Sequence, residues 1–267
     1  MDCQTATLTE IPNDKFQSCT MLIEIVFRIN THPRYYLRRI GSYAFGFCEN
    51  FQRITNGLPL SLVELGPCAF VNCTSLQQDI TIPRRVQLVH VRCFMGCIGI
   101  TSVVFEHQST DPVVALRFEA FGGCSRLRTV ILPPNLPWIP RYCFSHCTRL
   151  TNIPIPAAVR VGSLIAHCAF QQCWALQSIM LSENMTGIGY DAYWVCKSLE
   201  TVVIKSSTVQ FGVSIFHECP LLTTITMYPW KRCDFLSALD GPTSDNCNFR
   251  YNLVQKSQNQ LAQCRRR

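Results

Sequence analysis

The chain has 267 residues, 48% of them hydrophobic and only 15% charged, with a formal net charge of +7. That balance excludes a disordered chain, which could not bury enough apolar surface, and fits one continuous core under a modest polar skin. The basic excess sits in Arg265-Arg266-Arg267 and in pairs scattered over different positions, Arg38-Arg39, Arg84-Arg85 and Lys231-Arg232, a distribution that reads as solvated surface and argues against a nucleic-acid stripe.

From the N-terminus, residues 1–16 have no basic start followed by an apolar run, so they do not read as a secretory leader. The apolar run at 21–27 is interrupted by Glu24 and is too short to span a bilayer. As written, the sequence suggests a cytoplasmic chain without a membrane span. The periodic pattern begins at Ile11 with no polar cap before it. Solenoids need capped ends, so a longer N-terminus and a cell-surface setting stay open.

One phrase then recurs nine times: an aromatic, Cys three residues later, Leu (or Phe, Ile) three further on, and Ile or Val after that. Its aromatics are Phe16, Phe45, Phe70, Phe94, Phe121, Phe144, Phe170, Tyr193 and Phe216, with successive spacings of 29, 25, 24, 27, 23, 26, 23 and 23. A fixed repeat of this length predicts a solenoid in which each unit stacks on its neighbours. We place a repeat domain of nine units, each about 23–29 residues, at 1–229 and a separate segment at 230–267.

Within each unit an apolar residue lies five before the aromatic (Ile11, Ile40, Leu65, Val89, Leu116, Ile139, Ile165, Ile188, Phe211), often followed by Gly. Aromatic, Cys and Leu at i, i+3 and i+6 share one helical face, which predicts one or two helical turns over 41–48 and its equivalents. After the Leu the period becomes two, as in Val202-Val203-Ile204, and predicts a short strand. In the third unit Asp79 stands where Ile or Val is expected; a one-residue insertion returns Ile80 and Ile82 to the core face.

The phrase I-G-x-x-A-F-x-x-C-x-x-L-x-x-I, nearly whole over 40–48, resembles the BspA-like class of leucine-rich repeats. The resemblance covers about four fifths of the chain. It implies an α/β leucine-rich-repeat horseshoe, a curved stack with a parallel sheet on the concave side and short helical turns opposite. It also implies a role in recognition, often on cell surfaces, without naming a ligand.

The last segment leaves the pattern. Residues 230–239 suit a short helix, and 248–263 carry Phe249, Leu253 and Leu261 on a helical stripe, which predicts a helical C-terminal cap followed by a basic tail.

Seventeen cysteines without a secretory leader read as reduced thiols, nine of them at one core position, where Cys acts as a small apolar residue. The extra pairs Cys93/Cys97, Cys143/Cys147, Cys68/Cys73 and Cys168/Cys173, with His146 and His167 nearby, lie in different repeats and do not converge as zinc requires. Cys68 and Cys168 share a position with Tyr43, Arg92, Glu119, Tyr142 and Asp191, which predicts that these two thiols face solvent. The six His recur at no common position, and no phosphate loop, HExxH or nucleophile elbow occurs, so no enzyme, cofactor or metal is expected. The sequons at Asn72 and Asn184 read as chance.

The outward residues of the predicted strands are the binding candidates. A first row, Glu24, Arg53, Asp79, Ser102, Thr129, Asn152, Ser178, Thr201 and Thr224, is polar throughout. A second, Val26, Thr55, Thr81, Val104, Ile131, Pro154, Met180, Val203 and Thr226, is apolar or Thr. The apolar members either follow strand propensity or form a docking strip. The expected function is a non-catalytic scaffold that binds an unidentified protein on the concave sheet through Arg53, Asp79, Ser102, Val104, Thr129, Ile131, Asn152, Pro154, Ser178, Met180, Thr201 and Val203. Alternatives are a fragment of a larger surface or receptor-type protein and a binder of nucleic acid or acidic surfaces.

Overall fold

The computed structural model describes residues 9–27, 36–156, 163–206, 209–227 and 250–253. The repeats supply not one rank of strands but two, one on either side of the aromatic turn, and among the described residues only the sixth repeat lacks a second-rank strand, keeping an isolated bridge at Asn152. The first rank holds β1 (Glu10–Ile11), β3 (Arg39–Ile40), β5 (Glu64–Leu65), β7 (Leu88–Val89), β9 (Ala115–Leu116), β11 (Trp138–Ile139), β12 (Ser163–Ile165), β14 (Met185–Ile188) and β16 (Gln210–Phe211). The second holds β2 (Glu24–Val26), β4 (Arg53–Thr55), β6 (Ile80–Ile82), β8 (Ser102–Phe105), β10 (Thr129–Ile131), β13 (Ser178–Leu181), β15 (Thr201–Ile204), β17 (Thr224–Met227) and β18 (Arg250–Leu253). All pairings among them are parallel, so the chain is a parallel β-solenoid.

The expected helical turns are absent from the described residues. The segment between the two strands is instead a run of turns with left-handed residues at two fixed places. The positions two before and two after each aromatic have φ near +55°: Asp14 and Ser18 around Phe16, Tyr43 and Phe47 around Phe45, and so on to Ser214 and Glu218 around Phe216. Only Gly96 and Gly123 among these are glycine. A left-handed non-glycine residue is strained by about 1–2 kcal/mol, and hydrogen bonding between repeats offsets that cost. Asp14, Phe16 and Ser18 donate their N–H groups at 2.8 Å to the carbonyls of Ser42, Ala44 and Gly46 in the next repeat. The same three bonds recur at every repeat interface, ending with Asp191, Tyr193 and Val195 donating to Val213, Ile215 and His217. The intervening N–H groups close turns onto residues three back, as Cys19 does onto Phe16. Helix and this run of turns both bring i and i+3 to one side, so the sequence period could not separate them.

Inside, the nine aromatics form one stack. Successive ring centroids are 5.1–5.7 Å apart with planes within 19° of parallel. All but Phe16 are fully or nearly fully buried, together with Cys48 to Cys219, the Leu column and Ile or Val of both ranks. The ladder cysteines do more than fill space. Cys48 Sγ donates to the carbonyl of Phe16 at 2.9 Å, Cys73 to Phe45 at 3.0 Å and Cys97 to Phe70 at 2.9 Å, and the series runs to Cys219 on Tyr193 at 3.2 Å. Each thiol thus ties its repeat back to the preceding one. Close approach also fixes the glycine after the first strand: a Cβ on Gly66 would lie 2.8 Å from the backbone of Ile40 and Gly41, and one on Gly212 would lie 2.3 Å from Tyr190 N.

The second rank is not one sheet. It breaks between β4 and β6, and between β10 and β13 a single bridge, Thr129 with Asn152, remains on the β10 side. The first break is the inserted residue of the third repeat. Ile80 pairs with Val103 and Asp79 is exposed, as the insertion predicts, and the Ile54 N–H bonds the side-chain carbonyl of Gln78 at 2.7 Å. At the second break stands Pro154, which has no N–H for a ladder. Proline also splits the first rank. Gly41, Gly66, His90, Arg117, Ala166, Gly189 and Gly212 donate to the first strand of the repeat before, but the equivalent residue of the sixth repeat is Pro140, and β9 does not pair with β11.

At the C-terminus the expected helical cap is corrected at four residues. Arg250–Leu253 is a strand, with Thr224 opposite Arg250 and Met227 opposite Leu253. The rest of the 230–267 segment, including Phe249, Leu261 and the Arg265-Arg266-Arg267 tail, lies outside the described residues.

Candidate functional site

The second-rank strands separate the two outward rows from the core as period two requires. In β10 Val130 is buried between exposed Thr129 and Ile131; in β13 Ile179 and Leu181 are buried while Ser178 and Met180 are exposed. Val104 lies directly opposite Ile131, and Met180 opposite Val203. Parallel neighbours lie ~4.8 Å apart, so each pair forms a continuous apolar contact surface, with exposed Pro154 standing between the two pairs in sequence. Ile131 and Met180 are 55% and 56% exposed, as is Val26 at 54%, while Val104 and Val203 are half-buried.

The polar row carries its own pairings at the N-terminal end. Arg53 bonds Glu24 at 2.7 Å, and the Thr55 hydroxyl donates to the same carboxylate. These two bonds, Arg53 first, hold Glu24 down at about 2, so it is ionised throughout the physiological range. Asp79 accepts from the Thr101 hydroxyl at 2.7 Å. Ser102, Thr201 and Thr224 are half-buried; Thr129, Asn152 and Ser178 are exposed. The face therefore grades from an ionic end at repeats one and two to hydroxyl and apolar groups over repeats four to eight. Among the described residues it holds no convergent acid, base and nucleophile.

The two thiols expected to face solvent do not. Cys68 is 7% and Cys168 3% exposed. Both occupy left-handed turn positions, and each thiol interacts with the side chain at that position in the preceding repeat, Tyr43 or Tyr142. The same column pairs Arg92 with Glu119 at 2.8 Å, so neighbouring repeats supply partners along it even where, as at Arg92, it stays exposed. Cys19 is the partly exposed thiol among the described residues. Burial pushes two of the ladder thiols up to defined values, Cys48 to about 11 and Cys124 to about 12.

The histidines serve separate ends. His107 is buried with Nε2 2.8 Å from the Val86 carbonyl, His167 Nδ1 accepts from Tyr190 N at 3.0 Å, and His90 lies 3.5 Å from Glu64. Among the described residues no group of His, Cys, Asp and Glu is arranged to hold a metal ion, and no helix is long and apolar enough to cross a membrane.

A feature the sequence did not single out is a groove of about 790 Å³ lined by Tyr36, Arg38, Ser61, Val63, Arg85 and Asp111, among others. Arg38 and Arg85 belong to the basic pairs read as scattered. They occupy different positions relative to their aromatics, so alignment of repeats hides their convergence.

The fold and the turn column define a leucine-rich-repeat-like solenoid. The pattern of the BspA type leucine rich repeat region, in six copies, matches residues 9–112 and 108–223, and the chain belongs to that family. Comparison with curated proteins gives no match. Among solved structures, a leucine-rich repeat protein from Bacteroides ovatus is 24% identical with a TM-score of 0.62, covering 82% of this chain and 58% of its own. A T. pallidum leucine-rich repeat protein is 23% identical with a TM-score of 0.47, covering 55% of this chain and 68% of its own. A leucine-rich cell surface protein from Faecalibacterium prausnitzii is 21% identical with a TM-score of 0.45, covering 87% and 80%. The matched region thus spans 58% of the length of the Bacteroides protein.

Proposed function

We propose that the chain is a non-catalytic scaffold that binds a protein partner on the face of its second-rank strands. The carrying observation is the exposure of Ile131 and Met180, each more than half open to solvent on a strand whose alternate residues are buried. Together with Val104, Pro154 and Val203 they make an apolar centre, bordered by Ser102, Thr129, Asn152, Ser178 and Thr201 and, toward the N-terminal end, by Arg53 and Asp79. An apolar centre with a polar rim is the usual anatomy of a protein interface. A regular strand ladder also presents such a surface rigidly, so little ordering entropy is lost on binding.

The test replaces Ile131 and Met180 together with Asp and compares partners captured by the wild-type chain. Desolvating two carboxylates at an apolar contact is costly, so affinity should fall at least 100-fold with little change in melting temperature. Wild-type affinity in the folded double variant would reduce the strip to strand propensity. One observation favours a second reading, a piece of a longer recognition protein: the match occupies 58% of the Bacteroides ovatus chain.

A further inference from the structure

We propose that the arginine groove over repeats two to four binds an extended acidic peptide. Just before the first-rank strands β3, β5 and β7, the chain alternates. Leu37, Leu62 and Val86 are buried, while Tyr36 and Arg38, Ser61 and Val63, and Arg85 and Gln87 turn outward and line the groove. Its floor is set by Val63, with the Ser61 hydroxyl already committed to the Leu37 carbonyl at 2.8 Å. The volume, about 790 Å³, falls within the range of ligand clefts.

The charges within it are unevenly matched. Arg84 is held by Asp111 at 2.6 Å, and the second oxygen of that carboxylate accepts from Gln108 N at 2.7 Å. Both oxygens of Asp111 are therefore engaged. Arg38 and Arg85 are exposed and make no ion pair among the described residues. Two guanidiniums thus flank a small apolar and hydroxyl floor, a field that draws in anions. A guanidinium fork matches a carboxylate in two-point geometry. The repeats carrying Arg38 and Arg85 are two ladder steps apart, ~10 Å at ~4.8 Å per step, and an extended peptide advances ~3.3 Å per residue. Carboxylates three residues apart, with small or aliphatic residues between them, fit that arrangement. A nucleic acid fits less well. The groove offers one exposed aromatic, Tyr36, rather than a stacking series, and the Asp111 carboxylate sits where a run of phosphates would pass.

The experiment uses the full chain and a fluorescein-labelled peptide Glu-Ala-Leu-Glu-Ala-Leu-Glu, followed by anisotropy at low salt. Binding should weaken as salt rises and should disappear when the peptide carries Gln for Glu. The double variant Arg38→Gln/Arg85→Gln should weaken it at least tenfold. Arg126→Gln/Arg149→Gln, which removes the same charge from exposed residues elsewhere, should change it less than twofold. The sheet variant of Ile131 and Met180 should bind the peptide as the wild type does, which separates this site from the sheet face. Equal losses in both arginine variants would reduce the effect to net charge, and no binding by the wild type would end the proposal. Tighter binding of a single-stranded oligonucleotide of equal charge, lost in Arg38→Gln/Arg85→Gln, would give the groove to nucleic acid instead.

Discussion

Tyr193 occupies a place held by phenylalanine in the other eight repeats, and its ring stacks 5.1 Å from Phe170 and 5.7 Å from Phe216. Its hydroxyl is buried and finds no hydrogen-bond partner among the described residues. A buried unpaired hydroxyl forfeits its bonds to water, so Tyr193→Phe should raise stability by about 1 kcal/mol, read from the denaturant midpoint; a loss would mean that the hydroxyl is bonded. The thiols carry a pH signature. Burial places Cys48 at about 11 and Cys124 at about 12, against an ordinary 9.0. A folded-state value above the unfolded one contributes stability that is complete below the unfolded value. That stability is lost as pH rises through the folded value, because only the unfolded chain can ionise its thiols in between. Under reducing conditions stability should therefore be insensitive to these groups below pH 9 and fall progressively from pH 9 toward pH 12. Denaturant midpoints across that range test it, and a flat response would show that the ladder is not buried as described.

At the level of the repeat, the parts legible in the sequence are those set by side-chain identity. Phe, Cys, Leu and Ile are spaced by the core they fill, so the register of the stack, the inward faces of the second strands and the slip at Asp79 could all be read from them. The backbone of the turn could not. Its left-handed positions hold Tyr43, Phe47, Cys68, Arg92 and Val195 as readily as Gly96. Inter-repeat hydrogen bonds fix that conformation, and local propensity does not report it. The two-residue strands of the first rank were hidden for a like reason, since two residues show no period. The same blindness produced the error at Cys68 and Cys168: an off-core position looks solvent-facing until the neighbouring repeat is stacked on it. Gln78 is the element-scale case with a measurable consequence. Its side chain satisfies the N–H of Ile54, a residue only 3% exposed, where the inserted residue interrupts the ladder. Gln78→Leu should cost about 1–2 kcal/mol through the orphaned donor, whereas Gln78→Glu, which keeps an acceptor, should cost much less. Equal effects of the two in urea titrations would leave the sheet break without this capping role.

Across the whole molecule the interfaces between repeats are not equal, and a solenoid's stability is close to a sum over such interfaces. Eight interfaces share the three turn bonds and the ring contact. What varies is the strand pairing: repeat six, with Pro140 and Pro154, keeps first-rank pairing only to repeat seven and has no second-rank strand. Between repeats five and six β9 has no partner in β11, the second rank retains one bridge, and Phe121 and Phe144 are 5.7 Å apart, at the long end of the stack. On the far side β13, β15 and β17 pair over four residues each. Repeat six should therefore divide the stack into two units that open separately. Phe216→Ala, which removes a ring 2% exposed from the ninth repeat, should cost about 3–5 kcal/mol locally. Native-state hydrogen exchange should then show amides of β13, β15 and β17 losing protection by a factor of a hundred or more, with those of β6, β8 and β10 unchanged. A uniform loss through both sets would mean that the turn column and ring stack alone couple all nine repeats into one cooperative body, with the prolines of repeat six merely tolerated within it.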